Sequence, residues 1–183
     1  MDTSKPICVI GAGFMGSVIA TIYARHGYAV RLHDVSAEAL ASYAQRATPI
    51  AESLADAGHP VAAILGQVTT VLNLQAAVDG VFLAHEVAQE DLAVKQALFE
   101  QLDRLCPPEV VLGTNTSSFR LTHLCERVQH RQRVIGIHYI TPAHIIKAVE
   151  VIVADFTPPE RIAWAHEFLA SIDHVGVVCR ESP

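Results

Sequence analysis

Basic residues are scarce in this chain of 183 residues. Thirteen Lys and Arg stand against nineteen Asp and Glu, which gives a formal net charge of -6 at pH 7. No run of Lys or Arg could neutralise a phosphate backbone, so nucleic acid is a poor candidate partner. The four cysteines, Cys8, Cys106, Cys125 and Cys179, lack the paired spacing that zinc or redox sites need, and we expect no metal site.

Apolar runs of membrane-spanning length and flexible linkers are also missing. The polar segment Met1–Pro6 leads directly into a short apolar run, so the sequence predicts neither a secretory signal nor a membrane-spanning segment. We therefore expect a cytoplasmic protein with no membrane partner. No internal repeat or Gly/Ser-rich linker divides the chain. Because 51% of the residues are hydrophobic, we expect one folded domain over residues 1–183.

Short apolar runs alternate with helical segments along most of the chain. The predicted strands are 7–10, 28–33, 68–72, 80–84, 109–113, 133–139, 147–154 and 174–180. The predicted helices include Phe14–Arg25, two pieces between Ser36 and Gly58 that meet at Thr48 and Pro49, Glu90–Leu105 and Pro158–Ser171. This order predicts a Rossmann-type α/β fold, a doubly wound and mostly parallel sheet with helices on both faces.

The connection after the sixth predicted strand is short. Only Thr141–Ile146 separate it from the seventh strand, and six residues cannot make a parallel crossover. We therefore predict antiparallel strands after the sixth. Centring the hairpin turn on His144 places His138 opposite Glu150, close enough for the carboxylate to accept a hydrogen bond from the imidazole.

The first strand runs into three glycines with the spacing G-x-G-x-x-G. Gly11 permits a tight turn, Gly13 lets the backbone approach phosphates, and Gly16 lets the next helix pack close to the strand. The helix amino terminus supplies an anion site, and Phe14 and Met15 stand in the same turn. The strand, turn and helix together predict a site for the pyrophosphate of a dinucleotide.

Asp34 ends the second predicted strand. Its spacing from the glycines in the sequence is that of an acid which hydrogen-bonds the ribose hydroxyls of a dinucleotide. A carboxylate there favours NAD over NADP. The alternative is that Asp34 caps the following helix, a role for which Ser36 competes.

Oxidation of an alcohol by NAD requires a group that removes the hydroxyl proton, and imidazole can do so near neutral pH. His138 is the candidate base, and Glu150 would hold its tautomer. The segment 115–118 follows the fifth strand, at the sheet edge where doubly wound folds bind ligands. The amide of Asn115 and the hydroxyls of Thr116, Ser117 and Ser118 are therefore candidate ligand-binding groups. The alternatives are a structural histidine and a polar turn before a short helix near Leu121.

Five motifs together resemble the amino-terminal NAD-binding domain of the 3-hydroxyacyl-CoA dehydrogenase family. In chain order they are GAGFMG at 11–16, EVAQE at 86–90, NTSS at 115–118, HYITP at 138–142 and VEVI at 149–152. The resemblance implies NAD as cofactor, a 3-hydroxyacyl-CoA as substrate, and His138 with Glu150 as the catalytic dyad. It also implies that Ser117 binds the substrate oxygen and that Glu90 and Lys95 lie near the nicotinamide ribose.

Two features depart from the family pattern. Thr141 stands where the family has Asn; it keeps a hydroxyl for the substrate but loses the second donor of an amide. Arg46 is the only Lys or Arg between Ser36 and Val94. A helical segment that binds the phosphates of CoA would be expected to contain several. A free 3-hydroxy acid of the carnitine or gulonate kind is therefore an alternative substrate, and a non-catalytic NAD-binding module is a further alternative function.

The resemblance also implies a helical domain after the sheet. That domain closes the substrate site in the family and forms most of the dimer contact, whereas this sequence stops at Glu181–Pro183. We therefore expect the isolated domain to bind NAD with little turnover, and the full-length protein to be a homodimer through the helical domain.

Overall fold

The computed structural model describes residues 4–182, which fold into one sheet covered by helices. The strands are β1 (Ile7–Ile10), β2 (Val30–His33), β3 (Val68–Val71), β4 (Leu83–Glu86), β5 (Val111–Thr114), β6 (Val134–Tyr139), β7 (Ala148–Val153) and β8 (Val175–Arg180). The helices are α1 (Phe14–Arg25), α2 (Ala37–Ala41), α3 (Tyr43–Leu54), α4 (Val61–Gly66), α5 (Leu74–Val78), α6 (Leu92–Leu105), α7 (Leu121–Leu124) and α8 (Pro159–Ser171). Within these residues, no helix combines the length and the apolar character needed to cross a bilayer.

The sheet has a separate hydrophobic core on each face, because successive strand residues point to opposite sides. Ile7 and Val9 of β1 pack in one core with residues of α1, α3 and α8, whereas Cys8 and Ile10 pack in the other with residues of α5, α6 and α7. Strands that are covered on both faces have short unbroken apolar runs in the sequence. The apolar runs of this chain therefore predict the burial of its strands on both faces.

Strand order follows β3-β2-β1-β4-β5-β6-β7-β8, and the pairs from β3 to β6 are all parallel. The chain adds β2 and β3 on one side of β1 and then crosses to add β4 on the other. This reversal opens a crevice beyond the carboxyl ends of β1 and β4, where folds of this kind bind ligands. The predicted Rossmann-type fold is confirmed.

Strand β7 runs antiparallel to β6, as the short connection predicts, and His138 lies opposite Glu150 in the register. Strand β8 pairs parallel to β7, so both strands run opposite to the first six. The predicted antiparallel segment after the sixth strand is therefore confirmed, and the hairpin register brings two chemically active side chains together.

The helix break predicted at Thr48 and Pro49 is wrong. The break lies at Ser42, and Pro49 sits inside α3. Proline lacks an N–H, so the carbonyl of Gln45 loses its helical partner, but Pro49 is exposed and water can replace that bond. The buried face of α3, which includes Tyr43 and Ile50, spans the proline and holds the helix to the core.

Strand β4 lies further along the chain than predicted. It covers Leu83–Glu86 rather than 80–84, and Gly80 has a φ of 66° in the turn before it. His85 and Glu86 are therefore fully buried strand residues. Strand β5 likewise begins at Val111, two residues after the predicted start, and α4 was not predicted.

Candidate active site

The glycine loop between β1 and α1 has no space for a side chain at Gly11 or Gly16 and is open at Gly13. Gly11 has a φ of 112°, and a Cβ there would lie 2.5 Å from the carbonyl oxygen of Val87. A Cβ on Gly16 would lie 1.7 Å from the carbonyl oxygen of Gly11, so the helix can approach the strand only because the residue is glycine. A Cβ on Gly13 would meet nothing within 4 Å. The loop therefore fits a dinucleotide pyrophosphate at the start of α1.

Asp34 is fixed beside this loop at the end of β2. Its Oδ2 accepts a hydrogen bond from the N–H of Ala12 at 2.7 Å, and its Oδ1 accepts one from the N–H of Ser36 at 2.8 Å. Ser36, not Asp34, is the N-cap of α2, because its hydroxyl accepts from the N–H of Ala39. The carboxylate is thus held facing the crevice rather than used as a helix cap.

Two adjoining clefts lie along the carboxyl ends of the strands. The larger, of about 890 Å³, includes the glycine loop and Asp34 among its lining residues. The smaller, of about 380 Å³, is lined by Glu90, Lys95, Asn115, Ser117, His138 and Thr141, among others. Met15 and the segment 87–89 line both, so the clefts meet there. A dinucleotide in the larger cleft would thus extend toward the predicted catalytic residues.

His138 lines the smaller cleft and forms a close pair with Glu150, which does not line it. The Nδ1–H of His138 donates to Oε2 of Glu150 at 2.7 Å. The side chains are 21% and 40% exposed, so the imidazole is accessible from the cleft. With the carboxylate holding the proton on Nδ1, the Nε2 atom is left free to accept one.

Polar groups after β5 complete the smaller cleft. Oδ1 of Asn115 accepts from the N–H of Tyr139 at 2.8 Å, which leaves its NH2 group for a ligand. Glu90 is held by Ser117, whose N–H donates to Oε1 at 2.8 Å, and by the hydroxyl of Thr116. Although partial burial alone would raise it, the pKa of Glu90 lies below its ordinary value because of the Ser117 N–H and the charge of Lys95. Glu90 is therefore a carboxylate in the cleft.

Lys95 lies in α6 beside Glu90 and is buried, with only 1% of its surface exposed. Its Nζ is 2.5 Å from Oε1 of Glu86 and 3.3 Å from Oε2 of Glu90, and it donates to the carbonyl oxygen of Ala88 at 3.1 Å. Glu86 also accepts from the hydroxyl of Thr114 at 2.6 Å. The three N–H groups of Lys95 thus have protein acceptors, and the lysine acts on the cleft by holding Glu90.

The structure brings nearly all of the predicted residues to these two clefts. Gly11, Gly13, Met15 and Asp34 line the larger cleft together with Phe14, which is 61% exposed. The exposed hydroxyl of Thr141 contacts the sulfur of Met15 at 3.4 Å. Gly16 is buried behind the loop.

The sequence did not predict how two residues act in the site. Thr116, a candidate ligand-binding hydroxyl, instead donates to Glu90, and Glu86, which had no predicted role, pairs with Lys95. The ion pair of Glu86 had no signal in the sequence, because the predicted strand 80–84 ended before this residue. Among the residues described, no group of three His, Cys, Asp or Glu is arranged to hold a metal.

A doubly wound sheet whose crevice fits a dinucleotide defines a nucleotide-binding domain of the dehydrogenase type. A sequence profile described as "3-hydroxyacyl-CoA dehydrogenase, NAD binding domain" matches residues 6–182. The chain belongs to this family, as the five motifs predict, and its cofactor is NAD.

Similar proteins agree with this assignment. The chain is 36% identical over 189 residues to 3-hydroxyadipyl-CoA dehydrogenase of Escherichia coli K12, covering 100% of the chain and 39% of the relative. It is 36% identical over 152 residues to a probable 3-hydroxybutyryl-CoA dehydrogenase of Bacillus subtilis, covering 81% and 53%. The crystal structure of 3-hydroxybutyryl-CoA dehydrogenase from Escherichia coli K12 superimposes with a TM-score of 0.91 at 34% identity, covering 98% of this chain and 39% of that one. The chain thus spans about two fifths to one half of the length of these relatives.

Proposed function

We propose that the protein oxidises the 3-hydroxyl group of a 3-hydroxyacyl-CoA, or reduces the corresponding ketone, with NAD. The observation that carries this proposal is that His138, which lines the cleft adjoining the dinucleotide crevice, is hydrogen-bonded to Glu150. Bound NAD supplies the hydride acceptor. The protein must supply a proton acceptor, and His138 is the imidazole that lines this cleft.

In this proposal the Nε2 atom of His138 takes the hydroxyl proton of the substrate. Glu150 keeps the other ring proton on Nδ1 and stabilises the imidazolium as it forms, as carboxylates do beside catalytic histidines in hydrolases. The hydroxyl of Ser117 and the NH2 group of Asn115 donate to the substrate oxygen or to the cofactor amide. Thr141 offers one hydroxyl at the rim of the same cleft.

Glu90 and Lys95 serve the nicotinamide end of the cofactor in this account. Glu90 is the group that would accept from ribose hydroxyls, because it is 39% exposed while Lys95 is nearly inaccessible. Lys95 and Thr116 then position Glu90 and keep it charged. Asp34 accepts from the hydroxyls of the adenosine ribose and would repel the 2'-phosphate of NADP.

A free 3-hydroxy acid is a second candidate substrate, and the contacts of Arg46 favour it. The Nε of Arg46 donates to the hydroxyl of Ser17 at 3.0 Å, and its Nη2 donates to the carbonyl oxygen of Ala12 at 2.6 Å. Arg46, the only Lys or Arg between Ser36 and Val94, is therefore used to hold α3 against α1. Few charges remain there to bind the phosphates of CoA.

The test is NAD reduction by the protein that carries this chain. We expect NADH to form from 3-hydroxybutyryl-CoA or from 3-hydroxybutyrate, and NADP to be a poor substitute in the same assay. Comparable kcat/KM values for the thioester and the acid would support the second candidate, whereas a large preference for the thioester would exclude it. If neither compound reduces NAD although NAD binds, the non-catalytic alternative is favoured and the proposed function fails.

A further inference from the structure

A third cleft, of about 220 Å³, lies next to the catalytic pair. It shares Ser117 and His138 with the cleft of about 380 Å³ described above, and Glu150 also lines it. Arg120, before α7, and Arg180, at the end of β8, line this cleft as well. Neither arginine has a role in the function proposed above.

The guanidinium groups of Arg120 and Arg180 have no hydrogen-bond, ion-pair or ring partner anywhere in residues 4–182. Arg161 also lacks a hydrogen-bond or ion-pair partner, but its guanidinium group lies over the ring of Trp164. The remaining arginines all have partners: Arg25 with Asp56, Arg31 and Arg46 with backbone carbonyls, Arg104 and Arg127 with Glu100, Arg131 with the carbonyl of Val128, and Arg133 with Asp103. A guanidinium group presents donors in a planar fork that matches a carboxylate. Two such groups beside a histidine base therefore indicate an anionic ligand.

The two acids that line the same cleft do not form ion pairs with these arginines. Glu150 accepts from His138, and Oε2 of Glu181 accepts from the N–H of Thr122 at 3.0 Å. Neither carboxylate lies within ion-pair distance of a guanidinium group of the cleft. Arg120 is half-buried and Arg180 is exposed, so both can reach a ligand that enters from solvent. Two arginines and two carboxylates therefore line the cleft, and the guanidinium groups remain available to a ligand.

We propose that Arg120 and Arg180 form a subsite for a carboxylate of the substrate whose hydroxyl group faces His138. The inference rests on the proposed function, because it takes that hydroxyl as the reacting group. The carboxylate belongs either to a free 3-hydroxy acid or to the far end of an acyl chain that is carried as a CoA thioester. Both sources present the same group to the two arginines, and paired N–H···O bonds would hold it.

Two matched pairs of compounds test the subsite. 3-Hydroxyadipyl-CoA and 3-hydroxyhexanoyl-CoA differ by a carboxylate in place of a methyl group, and 3-hydroxybutyrate and 3-hydroxybutyramide differ by a carboxylate in place of an amide. The kcat/KM of each compound and its Kd by calorimetry are measured for the protein and for Arg120→Gln and Arg180→Gln. Arg104→Gln, which changes an exposed arginine paired with Glu100, is the control.

We expect the carboxylate to improve kcat/KM or Kd by about tenfold or more in one pair, since hydrogen bonds between charged groups are stronger than those between neutral groups. Each cleft variant should remove most of that preference and leave the uncharged member unchanged, and the control should alter neither. The pair that responds identifies the source of the carboxylate. No preference in either pair, or equal losses for both members, would overturn the subsite while leaving the proposed function intact. Arginine-dependent Kd values without any turnover would support the subsite and contradict the proposed function.

Discussion

The Nδ1 atom of His138 lies 2.7 Å from Oε2 of Glu150, across the antiparallel pair that β6 and β7 form. The contact depends on the register of a hairpin, because a shift of one residue would turn one of the two side chains to the opposite face of the sheet. Gly136 helps to fix that register: a Cβ there would lie 2.5 Å from Cβ of Ile152 on the opposing strand. The catalytic proposal is thus built on backbone geometry.

If Glu150 positions His138, Glu150→Gln should lower kcat by about 10–100-fold and change the Kd for NADH little. A neutral amide can still accept from Nδ1 but cannot stabilise an imidazolium. Glu150→Asp, which keeps the charge, should recover part of the rate. Steady-state kinetics and fluorescence titration of NADH provide both readouts. Glu160→Gln, in the exposed first turn of α8, is the matched control. A loss confined to NADH affinity would contradict the positioning role.

Cofactor choice should depend on Asp34. In Asp34→Ala the ribose hydroxyls and the N–H of Ala12 lose an acceptor. The affinity for NAD should therefore fall by about tenfold, and the difference in affinity between NAD and NADP should become smaller. Calorimetric titration of residues 1–183 with both dinucleotides measures the effect. Asp173→Ala, which removes an exposed carboxylate paired with Lys147, should change neither affinity. NADP binding as tight as NAD binding in the unaltered chain would count against the assignment.

The buried pair of Lys95 and Glu86 should be essential for stability. Glu86→Gln leaves the Lys95 ammonium buried with a single full carboxylate at 3.3 Å, and we expect a loss of about 3–5 kcal/mol in the free energy of unfolding. Adding Lys95→Met should recover part of it, because no buried charge then remains. Urea denaturation measures the series, with Glu100→Gln as a surface ion-pair control that should cost less than about 1 kcal/mol. Equal losses in Glu86→Gln and the control would refute this role.

His85 should make the protein less stable in mild acid. It is fully buried between the hydroxyl of Tyr23 at 2.8 Å and the carbonyl oxygen of Ile137 at 3.1 Å, and burial lowers its pKa to about 3. The unfolded chain therefore binds a proton below about pH 6.5 that the folded chain does not bind. The stability from this group is complete above pH 6.5 and decreases by up to about 1.4 kcal/mol per pH unit as the pH falls toward 3.

Urea unfolding of the chain and of His85→Gln between pH 5 and 7 tests this expectation. Unperturbed carboxyl groups titrate at about pH 4, below this range. Burial also lowers the pKa of the half-buried His26. His26 therefore makes stability fall with decreasing pH in both proteins alike. The variant should therefore show a weaker pH dependence, even if it is less stable at pH 7. An unchanged slope would show that His85 is not the titrating group.

The sequence predicts those parts of the site that depend on local spacing. The glycine loop and the position of Asp34 follow from a strand, a turn and a helix within 34 residues, and the dyad follows from the length of one hairpin. The end of β4 was misplaced because His85 and Glu86 are polar, and polarity near a strand end normally indicates a loop. Their burial is balanced by Tyr23 and Lys95, which are 62 and 9 positions away in the chain.

Pro49 shows a similar limit. Helix propensity predicts a break at a proline, but the packed face of α3 on α1 outweighs one lost hydrogen bond. The sequence predicts the edge of the sheet at which the clefts lie but not their size or boundaries, because their lining residues come from many separate elements. The unpaired state of Arg120 and Arg180 is likewise a property of the folded chain alone.

The central claim is that His138 accepts the substrate proton while NAD takes the hydride. The most direct measurement is single-turnover reduction of NAD in His138→Gln, set beside NADH binding by the same preparation. His130→Gln is the control, because that histidine pairs with Asp103 and lines neither cleft of the proposed site. We predict a rate at least about 100-fold lower in His138→Gln, with NADH affinity within about twofold of the unaltered protein and normal behaviour of the control. A rate in His138→Gln close to that of the unaltered protein would contradict the account.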